Sequence, residues 1–136
     1  DPDSAPRPPS TELRPPRAER IVDRDETTRE TVLTIVAEGG AIGAVGPGRI
    51  EGIDLTLEHS IVRRYRIRDE DPLSARAEVV QRMAVGRGTW AVRVETSTWL
   101  SATAETFEIR ARLDAFEGDA LVRSRSWGYS VPRDLV

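Results

Sequence analysis

The sequence predicts an all-β fold, an antiparallel β-sandwich of jelly-roll type with long meander strands and little helix. Three observations carry that prediction. From Ile21 onward, apolar and polar residues alternate with a period of two, the periodicity of a strand with one inward face. Gly, Pro and acidic turn signals separate the alternating runs. Runs of about 10 residues or more make strands of about 30 Å, a length that suits a sandwich.

Taken in order, residues 1–20 hold six of the nine prolines, with arginines between them and Leu13 almost alone as an apolar residue. Such a segment favours extended conformations and is expected to serve as a linker or strap, leaving 21–136 as the β-sandwich domain, incomplete at its N-terminal side if strands are missing. Arg7-Pro8-Pro9 and Arg14-Pro15-Pro16 also fit an SH3-type ligand superficially. Thr31 to Ala37 is β-branched and apolar, as a largely buried strand would be. Gly39, Gly40, Gly43, Gly46, Pro47 and Gly48 then break regularity, as a loop or bulged strand. Ile53, Leu55, Leu57, His59 and Ile61 share one parity, and Val62, Tyr65 and Ile67 continue in a second apolar pattern to a turn at Asp69-Glu70-Asp71-Pro72.

Ala75, Ala77, Val79, Met83 and Val85 share a face if they form a strand, although residues 76–85 also have the composition of a helix. Gly86-Arg87-Gly88-Thr89 is a tight-turn signal, and Trp90, Val92, Val94, Thr96 and Thr98 follow on one parity. Phe107, Ile109, Ala111, Leu113 and Ala115 alternate with charged residues up to a second turn at Glu117-Gly118-Asp119. Leu121, Arg123, Arg125, Trp127, Tyr129 and Val131 return, completing a meander.

Composition narrows the function classes. With 136 residues there is room for one domain, and 38% hydrophobic against 32% charged residues leaves enough apolar mass for a core. A net charge of −3 removes the basic field that phosphate polymers need, so nucleic acid is not an expected partner. The absence of cysteine and the single His59 exclude disulfides, thiol nucleophiles and multi-histidine metal sites. No apolar run approaches the roughly 20 residues of a bilayer span and no signal-type apolar segment is seen, so a soluble, cytoplasmic chain without a membrane partner is expected. All basic residues are arginine and asparagine is absent, as in a GC-rich coding sequence; Asp1-Pro2 at the start reads as the edge of an excised piece.

Candidate chemistry is sparse, and no catalytic, cofactor or metal residue is expected in this chain. Gly128-Tyr129-Ser130-Val131-Pro132 approaches the G-x-S-x-G elbow, but a proline ends it and no helix can follow. Ser130 is therefore expected to be a strand serine, and His59 a partly buried histidine with a hydrogen bond. Asp69-Glu70-Asp71 and the pair Asp23, Asp25 could offer oxygen ligands to calcium, but lack the spacing of an EF-hand and read as solvated turns. Trp90 and Trp99, nine residues apart, fall on opposite faces of one strand unless a bulge restores both to the core. Trp99, Trp127 and Tyr129 are the candidate interface residues, with sugar stacking as the other use of an exposed aromatic ring.

The run from Tyr65 through Asp69-Glu70-Asp71-Pro72-Leu73-Ser74 to Glu78 resembles the C-terminal region of CocE/NonD-type acyl hydrolases, in the X-Pro dipeptidyl-peptidase (peptidase S15) family. Gly86-Arg87-Gly88-Thr89-Trp90, Val92-Arg93-Val94-Glu95, Leu113 to Asp119 and Val131-Pro132-Arg133-Asp134-Leu135-Val136 extend the resemblance over residues 25–136. It implies a non-catalytic β-sandwich portion of an esterase or peptidase whose Ser-His-Asp triad lies in an α/β-hydrolase domain outside this chain. The implied partner is that catalytic domain or a second subunit, and missing strands would favour self-association. The alternative is a stand-alone β-sandwich binding module for carbohydrate or protein.

Overall fold

Alternation of β-branched and polar residues leaves the chain little choice but extended backbone, because only a sheet pairs the main-chain groups of such a pattern while sorting its side chains. The computed structural model describes residues 8–40 and 46–134. Its strands are β1 (Ser10–Glu12), β2 (Arg17–Asp25), β3 (Glu30–Gly39), β4 (Gly48–Ile50), β5 (Leu55–Arg68), β6 (Asp71–Arg87), β7 (Trp90–Ala102), β8 (Thr106–Glu117) and β9 (Ala120–Pro132). A 3₁₀ turn at Glu51–Ile53 is the only helical element among the described residues, so Ile53 precedes the strand rather than joining it. Residues 76–85, where helix was the competing expectation, lie inside β6.

Every pairing is antiparallel, and the nine strands form one sheet. From β5 to β9 it is a meander. On its other side β5 meets two partners in succession: β4 lies opposite Leu55, Thr56 and Leu57, and β3 lies opposite His59 to Arg68. β1 pairs outside β4, and β2 outside β3. This open antiparallel sheet is consistent with the all-β sandwich expected from the sequence. The proline-rich segment contributes to it directly, since Ser10–Glu12 is β1 and β2 begins at Arg17, ahead of the expected domain start at 21.

The turns follow the sequence signals. β5 and β6 are joined by Asp69-Glu70, β6 and β7 by Gly88-Thr89, and β8 and β9 by Gly118-Asp119. Gly88 and Gly118 have φ of 59° and 55°, a left-handed conformation that side-chain-bearing residues adopt at a cost. Asp25 closes the β2–β3 turn by accepting the backbone N–H groups of Thr27 and Thr28 at 2.8 and 3.1 Å. Of the expected glycine-rich break, Gly43 and its neighbours at 41–45 lie outside the described residues.

Little is buried. Among the described residues Val36, Ile50, Leu57 and Ile61 are the buried hydrophobic residues, and the only fully buried side chain of size is that of Pro47. The accessible surface is 9631 Å², against roughly 7,100 Å² for a compact monomer of this mass. The excess lies in sheet faces that none of the described residues covers.

Candidate functional site

Residues directly opposite each other in an antiparallel ladder point to the same face, so the registers assign every strand position. One chain of partners runs Val22, Leu33, Tyr65, Ala77, Leu100, Ile109, Tyr129 across seven strands. The row beside it toward the strand ends runs Thr31, Ile67, and, on the far strands, Ala102, Phe107, Val131. On the other side lie Ile35, Arg63, Val79, Thr98, Ala111 and Trp127. One face of the sheet is therefore apolar from β2 to β9.

That face is open. Tyr129 is 61% exposed, Val22 56%, Met83 48% and Tyr65 41%. Leu33, Tyr65, Ile67, Ala77, Leu100 and Phe107 line a hollow of about 370 Å³ on it. Contiguous apolar surface of this kind in a chain with 32% charged residues makes this face the candidate binding surface, because water penalises it and solubility gains nothing from it.

The opposite face is polar and internally paired. Arg17 with Glu19 at 2.8 Å, Arg64 with Glu78 at 3.2 Å, Arg93 with Glu95 at 3.0 Å and Arg112 with Asp114 at 2.8 Å form ion pairs along it. The Arg112 guanidinium holds the Asp114 carboxyl below its usual value, and Arg17 does the same for Glu19. Exposed pairs of this type add little stability; their effect is to make the face readily hydrated.

Trp90 and Trp99 lie on opposite faces, as their spacing predicts, and the register of β7 is regular against both neighbours, so no bulge reunites them. Neither is core: Trp90 is 45% exposed and Trp99 40%. Trp127 and Tyr129 stand on the apolar face, where the Arg125 guanidinium lies 5.2 Å from the Trp127 ring. Trp99 stands on the polar face and donates its indole N–H to Glu78 Oε1 at 3.1 Å. Around it Arg66, Arg76, Glu78, Ser101, Glu108 and Arg110 border an open groove of about 660 Å³.

The two residues closest to hydrolase chemistry are separated by the sheet itself. His59 pairs with Met83 on the apolar face and is exposed, not partly buried as expected. Ser130 pairs with Glu108 on the polar face, and its hydroxyl donates to Glu108 Oε1 at 2.6 Å, which draws that carboxyl below its usual value. A serine and a base on opposite faces cannot share a proton.

The acidic turn residues have arginine partners. Asp69 accepts from Arg24 at 2.7 Å, Asp71 from Arg68 at 2.8 Å, and Glu70 lies 3.5 Å from Arg29. No cluster of three or more potential metal ligands occurs among the described residues, and none of their helices is long and apolar enough to cross a membrane.

What the strand-by-strand reading missed is that the apolar parities of separate strands coincide, so that Val22, Tyr65 and Leu100 belong to one surface. The signal was in the turns: two-residue connections fix which positions face each other. Comparison with protein-family models, curated proteins and solved structures finds no match to this chain.

Proposed function

We propose that this chain is the non-catalytic C-terminal β portion of an acyl esterase or peptidase of the α/β-hydrolase class, with a structural, interdomain packing role. The observation that supports this reading is the continuous apolar face from Val22 to Tyr129, left uncovered by the described residues. A β-domain that packs on a neighbouring domain needs such a face, and the sequence resemblance over residues 25–136 names the neighbour as the hydrolase domain that carries the triad. Trp127 and Tyr129 would lie in the contact, and Ser130 and His59 would take no part in acyl transfer.

Sequencing the coding DNA upstream of Asp1 tests the reading. An uninterrupted frame encoding alternating strands and helices with a G-x-S-x-G elbow is the expected result. A start codon directly before Asp1 would overturn it.

A second reading, a stand-alone binding module for carbohydrate or protein, is favoured by one feature, the polar groove beside Trp99. Flat aromatic rings flanked by hydrogen-bonding side chains suit sugar rings. On this reading Trp99→Ala abolishes retention on immobilised polysaccharide while Trp127→Ala leaves it unchanged; retention by neither the parent chain nor the variants would sink it.

A further inference from the structure

The charges on the two faces of the sheet are not shared evenly. Glu19, Asp23, Asp25, Glu30, Glu38, Glu58, Glu78, Glu95, Glu108 and Asp114 all fall on the polar face by register. The apolar face carries Arg20, Arg63, Arg87, Arg123 and Arg125, and its strand acids by register are Glu12 in β1 and Glu117 at the end of β8, both in the row that runs through Leu57, Val85 and Val92. Among the described residues none of those five arginines has an acidic partner. Arg24, also on this side, is different, since it reaches the turn and pairs with Asp69.

We infer that this face docks onto a protein surface of apolar side chains that also carries carboxylates, placed to meet Arg63 in mid-sheet and Arg20, Arg123 and Arg125 toward the two edges. Covering the face removes these guanidinium groups from water, and a buried unpaired charge is heavily penalised. An occupant with its own carboxylates compensates that loss and gains bidentate geometry with arginine. A second copy of the same face does so poorly, because it would set five unpaired arginines against five others with only Glu12 and Glu117, both at one end of the sheet, to offset them. The inference rests on the reading of this face as an interdomain surface, and specifies what the neighbouring domain must present there.

The test uses the chain as it stands and two labelled helical peptides of about 20 residues, long enough to span about 30 Å. Both carry the same leucine stripe, flanked in one by glutamate and in the other by lysine. Fluorescence anisotropy is expected to give at least tenfold tighter binding of the glutamate peptide, with the preference shrinking at about 1 M salt, where the screening length is about 3 Å. Arg63→Glu should reverse the preference. Because Arg63 is half-buried and its loss could disturb the sheet, Arg125→Glu, on an exposed edge position, serves as the second variant and should cut the preference several-fold with the circular dichroism spectrum intact. Equal affinity for both peptides would overturn the inference, as would a preference that survives in both variants. So would binding to phosphatidylglycerol vesicles with none to the glutamate peptide, or a concentration-dependent dimer that excludes the peptide. If the upstream DNA encodes no hydrolase domain while the glutamate preference holds, the parent-enzyme reading fails and the docking chemistry stands.

Discussion

Ser130 and Glu108 illustrate how single residues are used here. The Ser130 hydroxyl and that of Thr106 both donate to Glu108 Oε1, at 2.6 and 2.7 Å, and hold the carboxyl below its usual value. Ser130→Ala should therefore raise the Glu108 titration midpoint toward 4.5, the ordinary value, in a carboxyl-resolved NMR titration, while the unfolding midpoint barely moves. Any background ester cleavage by the chain should be unchanged by the same substitution, because His59 is on the other face. Asp25, Asp69, Asp114, Glu19 and Glu108 are all depressed, by backbone N–H groups at Asp25, by Arg24 at Asp69, by Arg112 at Asp114, by Arg17 at Glu19 and by Ser130 at Glu108. A carboxylate that ionises more readily folded than unfolded stabilises the fold when charged. That contribution is complete above the unfolded values of 3.8 and 4.5, and is lost as the pH falls through the lower folded values. Urea midpoints should be flat from neutral pH down to those values and decline below them; a decline already complete near neutrality would contradict the assignment.

At the scale of elements, the hairpins depend on their turns and the sheet on its edges. Gly118 has a φ of 55° and donates its N–H to Ala91 O at 2.8 Å, tying the β8–β9 turn to β7. A Cβ at Gly118 would meet nothing within 4 Å, so the whole cost of Gly118→Ala is conformational, about 1–2 kcal/mol by urea unfolding. Gly52→Ala, equally free of neighbours and without positive φ, is the control and should change little. β2 and β9 are open edges of 9 and 13 residues, long enough to recruit a strand from another chain. Arg123 and Arg125 charge the β9 edge against that. Replacing both with threonine should strengthen concentration-dependent association in sedimentation velocity, and unchanged sedimentation would mean that the edge is protected in some other way. The element boundaries were largely legible: Asp69-Glu70, Gly88-Thr89 and Gly118-Asp119 were readable because turn backbone conformations select their residues locally. Ser10–Glu12 and Arg17–Arg20 were not, since proline-rich composition argues for a strap and only distant partners, β4 and β3, turn these residues into strands.

For the whole molecule, the consequence of one sheet with an uncovered apolar face is weak burial. The chain should bind 1-anilinonaphthalene-8-sulfonate in its native state, with fluorescence rising well above that of a fully packed β-protein of equal size. Its heat capacity of unfolding should fall below about 1.6 kcal/mol/K, the lower end expected for a chain of this length, because less apolar surface is newly exposed. Absence of dye binding together with an ordinary heat capacity change would mean that the face is covered in solution.

The sequence by itself determined the class of the fold, the meander and its turns, and the side of each strand on which apolar residues lie, since period and turn chemistry are local properties. The spacing of Trp90 and Trp99 set them apart unless a bulge intervened, and the regular register of β7 decided that none does. Within the hairpins the two-residue turns set the register, but only the tertiary structure decided how β3 and β4 both meet β5 and where the register shifts, between Arg66 and Arg68 and between Ala115 and Phe116, and a shift of one residue would send every side chain to the other side. That pairing placed His59 and Ser130 on opposite faces, gathered most of the strand acids on one side, several of them with arginine partners, and left Val22, Tyr65, Leu100 and Tyr129 together with unpaired arginines on the other.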